Sequence, residues 1–501
     1  MTGIPMKAEH TFEAHWRMFF FEGVVLVVLG IIALILPPLA SIAVAILFGW
    51  VLFLGCAFGL VSTLVGHHAP GFWWSILSSL VAIVAGVLLF ASAALADPVY
   101  DVQEFRNYEN DGSQDFRAGN YAAAEAAFAS AVMYSPQQVG AYYNLAAAAA
   151  RRGDSAKALA ALDRFADFGV AVNLDANSDL GSLRGTAAFA RIREKLARNT
   201  EPLCVCKLVY QGSDAPFLAE GVAQDLHTDR LFVSSVNARK IVSIHDGVLR
   251  DFAVVPDGMS ALGIRINAAH DLLWAAAATL PQSDGGSGDM GNAALLAFDI
   301  TSGALRYRFN APVYAERRSF SDMTFAQDGT AYVSDAVEGS VFRWKPGSDA
   351  LELVGGARRF SSPQGMVVSA DGRTVLVADY TAGLQRLDVE SGDVTSVGVP
   401  AGITTLGMDG LVQLRDGSFA ATQNGIHPNR VVHFRLSRDW SHLQSFAVVA
   451  RAVPDIADVS LLTPDGNDLL VVGVSQWDSF GEAATPEKPL KAWRVVRVTL
   501  P

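Results

Sequence analysis

The sequence predicts a multidomain chain of three parts: a three-helix transmembrane segment (residues 1–96), an all-α segment (97–200) and an all-β six-bladed propeller (201–501). Three observations lead to this order. No Lys or Arg occurs between Arg17 and Arg106, and apolar runs fill the gap. Alanine-rich sequence with apolar residues at helical spacing follows. The last part of the chain then repeats one phrase that reads strand, turn, strand.

The apolar runs, at about 18–36, 39–64 and 72–96, are each long enough to cross a hydrocarbon core, which takes about 20 helical residues. The whole chain is 51% hydrophobic, which is high for a soluble protein. A buried soluble helical bundle is the alternative, but three runs without a charged face cannot be solvated. The lipid bilayer is therefore the expected partner of residues 1–96.

Charge predicts the orientation of these spans. Lys7 and Arg17 precede the first run and neither short loop carries Lys or Arg, so the positive-inside bias places the N-terminus in the cytoplasm. In a bacterial inner membrane, three spans then place residues from about 97 in the periplasm. The sequence A-L-A at 94–96 also matches a signal-peptidase site. A small-residue helix end explains the same residues, so cleavage after Ala96 stays open.

Two stretches give this part a family resemblance: W-R-M-F-F-F-E-G-V-V-L-V-V-L-G-I-I-A-L-I-L-P-P from Trp16, and G-F-W-W-S-I-L-S-S-L-V-A-I-V-A-G-V-L-L-F from Gly71. They resemble one half of the HdeD-like (DUF308) family of small multispanning membrane proteins. Three spans are present where members of that family usually have six. The resemblance implies a membrane location and no specific biochemical activity.

Residues 97–200 contain an internal repeat with an offset of 34 residues, in which Gly119-Asn120-Tyr121 corresponds to Gly153-Asp154-Ser155. A helix from Phe189 is expected to cap the array. The pattern resembles the tetratricopeptide repeat, which has this period and places small residues where paired helices touch. The resemblance implies a groove for a peptide or partner protein. A helical spacer packed on the propeller is the alternative.

The repeated phrase of the last part occurs six times, beginning at Glu220, Leu262, Ser321, Gln364, Met408 and Ala457. Most copies join two apolar strands by an Asp/Gly turn, such as Asp371-Gly372 or Asp416-Gly417, which supplies the positive φ of a tight hairpin. The copies lie 42–59 residues apart, which is the period of a four-stranded propeller blade. Six copies predict six blades, with residues 281–292 forming a loop inside the second blade.

The two ends of the last part are expected to pair. The strand 203–210 precedes the first phrase, and the strand 493–500 follows the last one. Propellers close by completing one blade with both chain ends, because this removes exposed sheet edges. Cys204 and Cys206 alternate onto one face of the first strand. Two packed thiols are favoured there over a disulfide or a metal site.

A second resemblance rests on E-G-V-A-Q-D at Glu220, S-P-Q-G-M at Ser362, V-A-D-Y at Val377, M-D-G-L at Met408 and Q-N-G at Gln423. These phrases are similar to those of the SMP-30/gluconolactonase group of six-bladed calcium-dependent hydrolases. Residues from about 105 to 501 together resemble bacterial exported proteins that carry a short tetratricopeptide segment before such a propeller. Related propellers include non-enzymes, so the fold alone does not assign an activity.

The resemblance implies a central cation, Ca²⁺ or another divalent ion. Glu220 and Asp409 match the family's acidic ligands, Gln364 occupies a position where Asn is usual, and Ser321 occupies another. Oxygen ligands of this kind suit Ca²⁺ and Mg²⁺. Such a cation polarises a lactone or ester carbonyl and acidifies a bound water. A small lactone or ester is therefore the substrate class that the resemblance implies.

Asp322 or Asp379 is expected to accept the proton of that water. The alternative is that these aspartates cap turns near the axis, in a non-catalytic propeller that binds a ligand or a partner protein. The net charge of −12 disfavours nucleic acid as a partner, because phosphate binding needs clustered Lys and Arg.

Overall fold

The computed structural model describes residues 98–500, apart from 214–215, 268, 270, 286–290, 313–316, 482 and 484. Residues Asp97–Pro501 form one compact unit. The three predicted spans and the predicted cleavage site after Ala96 lie outside the described residues. Among the helices of the described ranges, none is both long and apolar enough to cross a membrane.

The alanine-rich part is helical, as predicted. Its α-helices within the described residues are α1 Pro98–Arg117, α2 Tyr121–Tyr134, α3 Val139–Arg152, α4 Ser155–Asp167 and α5 Ala187–Asn199. Two 3₁₀ turns, Leu174–Ala176 and Ser178–Leu183, precede α5. α5 confirms the helix predicted from Phe189. The tetratricopeptide assignment itself stays a prediction.

Local sequence explains the repeated helix boundaries. Gly153 ends α3 in the left-handed region (φ 92°), which glycine adopts without steric cost. The next residue, Asp154, caps α4 by accepting a hydrogen bond from the backbone N–H of Lys157 at 3.0 Å. Apolar side chains from successive helices, including Phe128, Leu145 and Leu162, then pack into one buried cluster.

The following part is the predicted six-bladed propeller. Blades 1 to 3 take consecutive strands: β3 Ala219–Asp225, β4 Arg230–Ser235, β5 Lys240–His245 and β6 Val248–Val254; β7 Ser260–Ile266, β8 Leu272–Ala278, β9 Ala293–Asp299 and β10 Leu305–Asn310; β11 Phe320–Phe325, β12 Ala331–Asp335, β13 Ser340–Trp344 and β14 Glu352–Val354. The predicted loop 281–292 lies between β8 and β9 of blade 2.

Blades 4 and 5 follow the same order: β15 Pro363–Val368, β16 Thr374–Asp379, β17 Gly383–Asp388 and β18 Val394–Ser396; β19 Met408–Gln413, β20 Phe419–Gln423, β21 Arg430–Leu436 and β22 Leu443–Arg451. Blade 6 contains β23 Leu462–Asp465, β24 Asp468–Val474 and β25 Arg494–Val498, with a 3₁₀ turn Pro454–Ile456 before it and a short helix α6 Trp477–Phe480 between its last two strands. The predicted turn glycines Gly372 and Gly417 have positive φ, and so does Gly466 in the hairpin of the sixth copy.

The two ends of the propeller segment close the ring. At its start lie two strands, β1 Leu203–Cys204 and β2 Cys206–Gln211. β2 pairs antiparallel with β25 as the outermost strand of blade 6, which confirms the predicted pairing of the two ends. β1 pairs instead with β22 of blade 5. The expectation of two free thiols is wrong, because Cys204 and Cys206 form a disulfide across this junction, with 5.2 Å between their Cα atoms.

The hydrophobic core lies between neighbouring blades. Trp274 of blade 2 and Phe342 of blade 3 belong to one buried cluster. Val233 of blade 1 and Val472 of blade 6 belong to another, which spans the closure. Because strands alternate their side chains, each sheet presents an apolar face to both neighbours. The apolar core therefore lies between the blades, and the polar residues at the axis of the ring do not belong to it.

Candidate functional site

The residues that open the repeated phrase lie on an irregularity of the innermost strands. In five blades the register between the innermost and second strands shifts at the start of the innermost strand: between Ala219 and Val222, Ala261 and Ile264, Phe320 and Met323, Pro363 and Met366, and Met408 and Leu411. Such bulges re-aim side chains. Five bulge residues, Glu220, Leu262, Ser321, Gln364 and Asp409, line one cavity.

Glycine follows most of these residues because the innermost strands approach one another closely. A Cβ on Gly221 would lie 2.5 Å from the carbonyl oxygen of Leu262, and a Cβ on Gly365 would lie 2.4 Å from the amide nitrogen of Leu411. Those distances leave no room for a side chain. The glycines thus allow the ring of strands to close, and the residue before each one faces the axis.

The cavity has a volume of about 390 Å³, which is within the range of small-molecule sites. Its carboxylates are Glu220, Asp409, Asp458 and Asp478. Its apolar and aromatic lining includes Leu262, Leu280, Val337, Tyr380 and Trp477. None of the described lining residues is Lys, Arg or His. The cavity therefore combines an acidic wall with an aromatic one and contains no cationic side chain of its own.

Glu220 is buried, and the indole Nε1–H of Trp477 donates a hydrogen bond to its Oε2 at 2.6 Å. Burial raises the pKa of Glu220 well above its ordinary value, and the charges of Asp409 and Asp458 raise it further. The Trp477 hydrogen bond acts in the opposite direction. Without a cation nearby, the environment therefore favours the protonated acid.

Asp409 is buried in the same wall, and burial raises its pKa to about 7. The side-chain amide of Asn424 opposes this shift by donating to Asp409 Oδ2 at 2.8 Å. The same amide donates to the carbonyl oxygen of Val459 at 3.0 Å. Its own oxygen, Asn424 Oδ1, is buried and has no hydrogen-bond partner among the described residues. An unpaired buried acceptor is costly, so this oxygen is suited to a ligand.

The two remaining predicted ligand positions have weaker contacts. The side-chain amide of Gln364 donates to Ser362 Oγ at 3.2 Å. Ser321 Oγ donates to the carbonyl oxygen of Ser319 at 3.3 Å. The structure thus brings Glu220, Gln364 and Asp409 into one cavity with Ser321, as expected from the sequence, although their role as metal ligands stays a prediction.

Asp322 is not part of the cavity wall. It follows Ser321 in the bulge and occupies the position that glycine has in four other blades, so its carboxylate lies between two innermost strands. There Arg265 Nη2 donates to Asp322 Oδ2 at 2.9 Å, and Gly263 leaves room for it. Burial raises the pKa of Asp322, while Arg265 lowers it. The structure does not bring this predicted proton acceptor to the cavity.

Asp379 does not line the cavity either. Its Oδ2 accepts hydrogen bonds from the backbone N–H groups of Ser361 and Ser362, at 2.7 and 3.0 Å, and its Oδ1 accepts from those of Thr381 and Ala382, at 3.0 and 2.9 Å. Asp335 makes the same kind of contacts at the equivalent end of β12. These contacts favour the alternative that such aspartates cap turns.

The loop between β24 and β25 contributes residues that the sequence did not single out. Gln476 has φ 87°, a left-handed conformation that is rare for a residue other than glycine. Its backbone N–H donates to Asp458 Oδ2 at 2.6 Å. This turn places Trp477 against Glu220. Trp477 and Asp478 lie outside the repeated phrase, which is why the repeat did not reveal them. Asp458, which opens the sixth copy, and Asn424, in the phrase Q-N-G, each had a visible signal.

No three His, Cys, Asp or Glu side chains among the described residues form a group that could hold a metal ion. A site here would therefore rest on the Glu220 and Asp409 carboxylates together with neutral oxygens, such as the unpaired Asn424 Oδ1. Ca²⁺ and Mg²⁺ accept mixed carboxylate and amide oxygen ligands, whereas Zn²⁺ prefers nitrogen and sulfur. The donor set fits a hard divalent cation.

Residues 21–91 match the family described as a short repeat of unknown function, DUF308. The match confirms this part of the predicted resemblance, while the HdeD-like assignment stays a prediction. No curated protein matches the chain significantly.

The six-bladed propeller is similar to several solved structures. A gluconolactonase from Xanthomonas campestris covers 61% of this chain and 93% of its own, with 15% identity and a TM-score of 0.41. Regucalcin, a calcium-binding protein from Agrobacterium tumefaciens, covers 58% and 95%, with 16% identity and a TM-score of 0.41. Virginiamycin B lyase from Staphylococcus aureus covers 59% and 100%, with 13% identity and a TM-score of 0.39. These likenesses concern the fold and assign no activity to this chain.

Proposed function

We propose that the axial cavity binds a divalent cation, with Ca²⁺ as the first candidate, and hydrolyses a small uncharged lactone or ester. The observation that carries the proposal is the pair Glu220 and Asp409. Both carboxyl groups are buried in one cavity, and both have raised pKa values. Carboxylates in this situation repel each other unless a proton or a cation lies between them.

Glu220 and Asp409 would hold the cation, with Asn424 Oδ1 and Gln364 as neutral oxygen donors. A bound divalent cation polarises a carbonyl and lowers the pKa of water. The chain's own residues supply binding and proton transfer. Asn424 orients Asp409 through its 2.8 Å hydrogen bond, and Trp477 orients Glu220 through its 2.6 Å hydrogen bond.

Asp458 replaces Asp322 and Asp379 as the proposed proton acceptor. It lines the cavity, and burial raises its pKa above the ordinary value, which makes it a better base. Asp379 is occupied by four backbone N–H groups, and Asp322 is paired with Arg265. Asp458 also accepts a backbone hydrogen bond, from Gln476 to its Oδ2, but unlike the other two it lines the cavity.

The lining also supports the proposed substrate class. Because it contains four carboxylates and, among the described residues, no Lys, Arg or His, it disfavours anionic substrates such as sugar phosphates. Trp477, Tyr380 and Leu262 offer an apolar surface to a ring or an acyl chain. An uncharged ester or lactone is compatible with both the acidic and the aromatic wall of the cavity.

Calorimetry on the full-length protein tests this function. Wild type should bind Ca²⁺ and hydrolyse at least one lactone in an uncharged panel, while Glu220→Gln combined with Asp409→Asn should do neither. Asp371→Asn, in an exposed hairpin turn that Asn can also form, is the matched control. Absence of binding by Ca²⁺, Mg²⁺ and Mn²⁺ to wild type would contradict the proposal.

A non-catalytic binding propeller is the second candidate, and the contacts of Asp322 and Asp379 favour it. If the cation binds but no ester or lactone turns over, and Asp458→Asn leaves ligand binding unchanged, the cavity is a binding site only. In that case the cation would serve to order the cavity for its ligand.

We further propose that residues 1–96 anchor the protein in a bacterial inner membrane and that residues from about 97 are periplasmic. The DUF308 match and the absence of Lys and Arg between Arg17 and Arg106 support this. The helical segment would then be available to a partner protein. A phosphatase reporter fused after Arg198 should be active; an active cytoplasmic reporter at the same point, with a silent phosphatase, would refute this topology.

A further inference from the structure

We propose that the helical segment helps to position the wall of the axial cavity. In particular, Gln137, in the turn between α2 and α3, is a positioning residue for Tyr380 and Asn424. The inference rests on the proposed cation site, because its effect is read at that site. The link is a short chain of buried hydrogen bonds through the segment 404–407, which leads into β19.

The first step joins the helical segment to this segment of the propeller. Gln137 Oε1 accepts two hydrogen bonds from Thr405, from its backbone N–H and from its hydroxyl, both at 2.8 Å. Thr405 is fully buried, and its hydroxyl oxygen also accepts from the backbone N–H of Leu384 at 3.1 Å. Removing the Gln137 oxygen leaves two buried donors without their acceptor.

The second step leads from this segment to the cavity. The N–H of Gly407 donates to the carbonyl oxygen of Tyr380 at 2.8 Å, and the carbonyl oxygen of Gly407 accepts from the N–H of Gly425 at 3.1 Å. Gly425 is the neighbour of Asn424, and a Cβ on it would lie 2.9 Å from the Tyr380 ring. The backbone of Gly407 thus fixes the spacing between the two cavity-lining residues.

A second connection reaches the same segment from the end of α4. Arg430 Nη1 donates to the carbonyl oxygen of Phe168 at 2.9 Å, and its Nε donates to Gln423 Oε1 at 2.7 Å. The amide of Gln423 then donates to the carbonyl oxygens of Thr404 and Leu406, at 3.0 and 2.6 Å. Arg430 and Gln423 are buried, so water cannot readily replace these bonds.

These contacts make the cavity wall dependent on a part of the chain that lies outside the propeller. The wall residue most affected is Asn424. Its amide donates a hydrogen bond to Asp409 Oδ2, and its own oxygen, Asn424 Oδ1, is the unpaired acceptor. A small displacement of Asn424 changes both a ligand and the orientation of the adjacent carboxylate. Groups hydrogen-bonded directly to a metal ligand typically contribute about 10–100-fold to metal affinity, so a residue that acts through several further contacts should contribute up to about tenfold.

The test compares four full-length proteins: wild type, Gln137→Met, Gln137→Glu and Gln138→Ala. Met keeps the length of the side chain but removes the acceptor, whereas Glu retains an acceptor oxygen. Gln138 is the matched control, since its side chain makes a long hydrogen bond of 3.4 Å to the carbonyl oxygen of Thr381. Ca²⁺ affinity is measured by calorimetry, and amide hydrogen exchange is measured by mass spectrometry.

Gln137→Met should weaken Ca²⁺ binding about five- to tenfold, while Gln137→Glu and Gln138→Ala should stay within about twofold of wild type. Amide exchange in peptides covering 380–384, 404–411 and 423–427 should accelerate in Gln137→Met, with strands β7 to β9 unchanged as an internal reference. Loss of affinity in Gln137→Glu equal to that in Gln137→Met would contradict a role for the acceptor oxygen.

The exchange measurement separates this inference from the proposed function. If wild type binds no divalent cation, the proposed function fails, and faster exchange around 404–407 in Gln137→Met alone still supports the positioning role. If exchange in those peptides is the same in Gln137→Met and wild type, the positioning role is refuted, whatever the cation affinity.

Discussion

Cation binding to the axial cavity should be strongly pH-dependent, because protons and the cation compete for the same two carboxyl groups. The pKa of Asp409 rises from its ordinary 3.8 to about 7, and that of Glu220 is also raised. A cation must displace these protons in order to bind. Below pH 7, each unit of acidification should therefore weaken Ca²⁺ binding about tenfold through Asp409 alone. Where Glu220 is also protonated, the dependence should be steeper.

The same shifts determine the stability of the cation-free protein. For an acid whose pKa is higher in the folded state, the folded state binds more protons than the unfolded state between the two pKa values. The free energy of unfolding should therefore be highest below about pH 4 with respect to Asp409, fall as pH rises, and level off above about 7. The Asp409 shift corresponds to at most about 4 kcal/mol, at about 1.4 kcal/mol per pKa unit. Ca²⁺ should consequently raise the melting temperature more at pH 8 than at pH 5.

Isothermal titration calorimetry between pH 5 and 8.5, in two buffers with different ionisation enthalpies, measures both the affinity and the number of protons released. We expect at least about one proton released near pH 6, from Asp409, with any proton on Glu220 adding to it, and fewer above pH 8. Asp371→Asn should leave the profile unchanged. Equal Ca²⁺ affinity at pH 5.5 and pH 8, with no proton release, would refute the reasoning that Asp409 and Glu220 are the ligands.

Three further changes test the structure around the cavity. Glu220→Gln should abolish stabilisation by Ca²⁺ and keep a melting temperature in chelator at least as high as that of wild type, because Gln, like the protonated acid, carries no buried charge; a lower melting temperature in chelator would contradict this. Asp322→Asn should cost about 3 kcal/mol in urea unfolding by leaving Arg265 unpaired, and it should retain Ca²⁺ binding; loss of binding without destabilisation would instead assign Asp322 to the site. Gly221→Ala should destabilise the propeller by about 1–3 kcal/mol. As a control, Gly140→Ala, in a helix with open space around it, should stabilise the protein by up to about 1 kcal/mol. Equal changes in stability for the two variants would refute the close approach of the innermost strands.

The sequence determined the blade count, the hairpin turns and most of the closure because these depend on local patterns. Continuous apolar runs mark strands that are buried on both faces, and the turn glycines Gly372, Gly417 and Gly466 fix where each hairpin reverses. The openings of the repeated phrase also pointed correctly to Glu220 and Asp409 as residues of one cavity, since a closed ring brings equivalent positions to its axis.

The tertiary structure alone decided which of two adjacent polar residues faces the axis. The bulge in β11 points Ser321 into the cavity and Asp322 towards Arg265, and no sequence pattern distinguishes these directions. Asp379 was misleading for a related reason: a carboxylate that caps four backbone N–H groups has the same residue type as one that acts on a ligand.

Residues from distant parts of the chain complete the cavity and could not be assigned from the repeat. Trp477 comes from an irregular loop of blade 6, and its contact with Glu220 joins positions 257 residues apart. Gln137 reaches Thr405 across 268 residues, from a helical segment whose docking on the propeller no local pattern encodes. Such contacts form only when the ring has closed and the helices have packed against it, because they depend on the relative placement of whole elements rather than on the preferences of neighbouring residues.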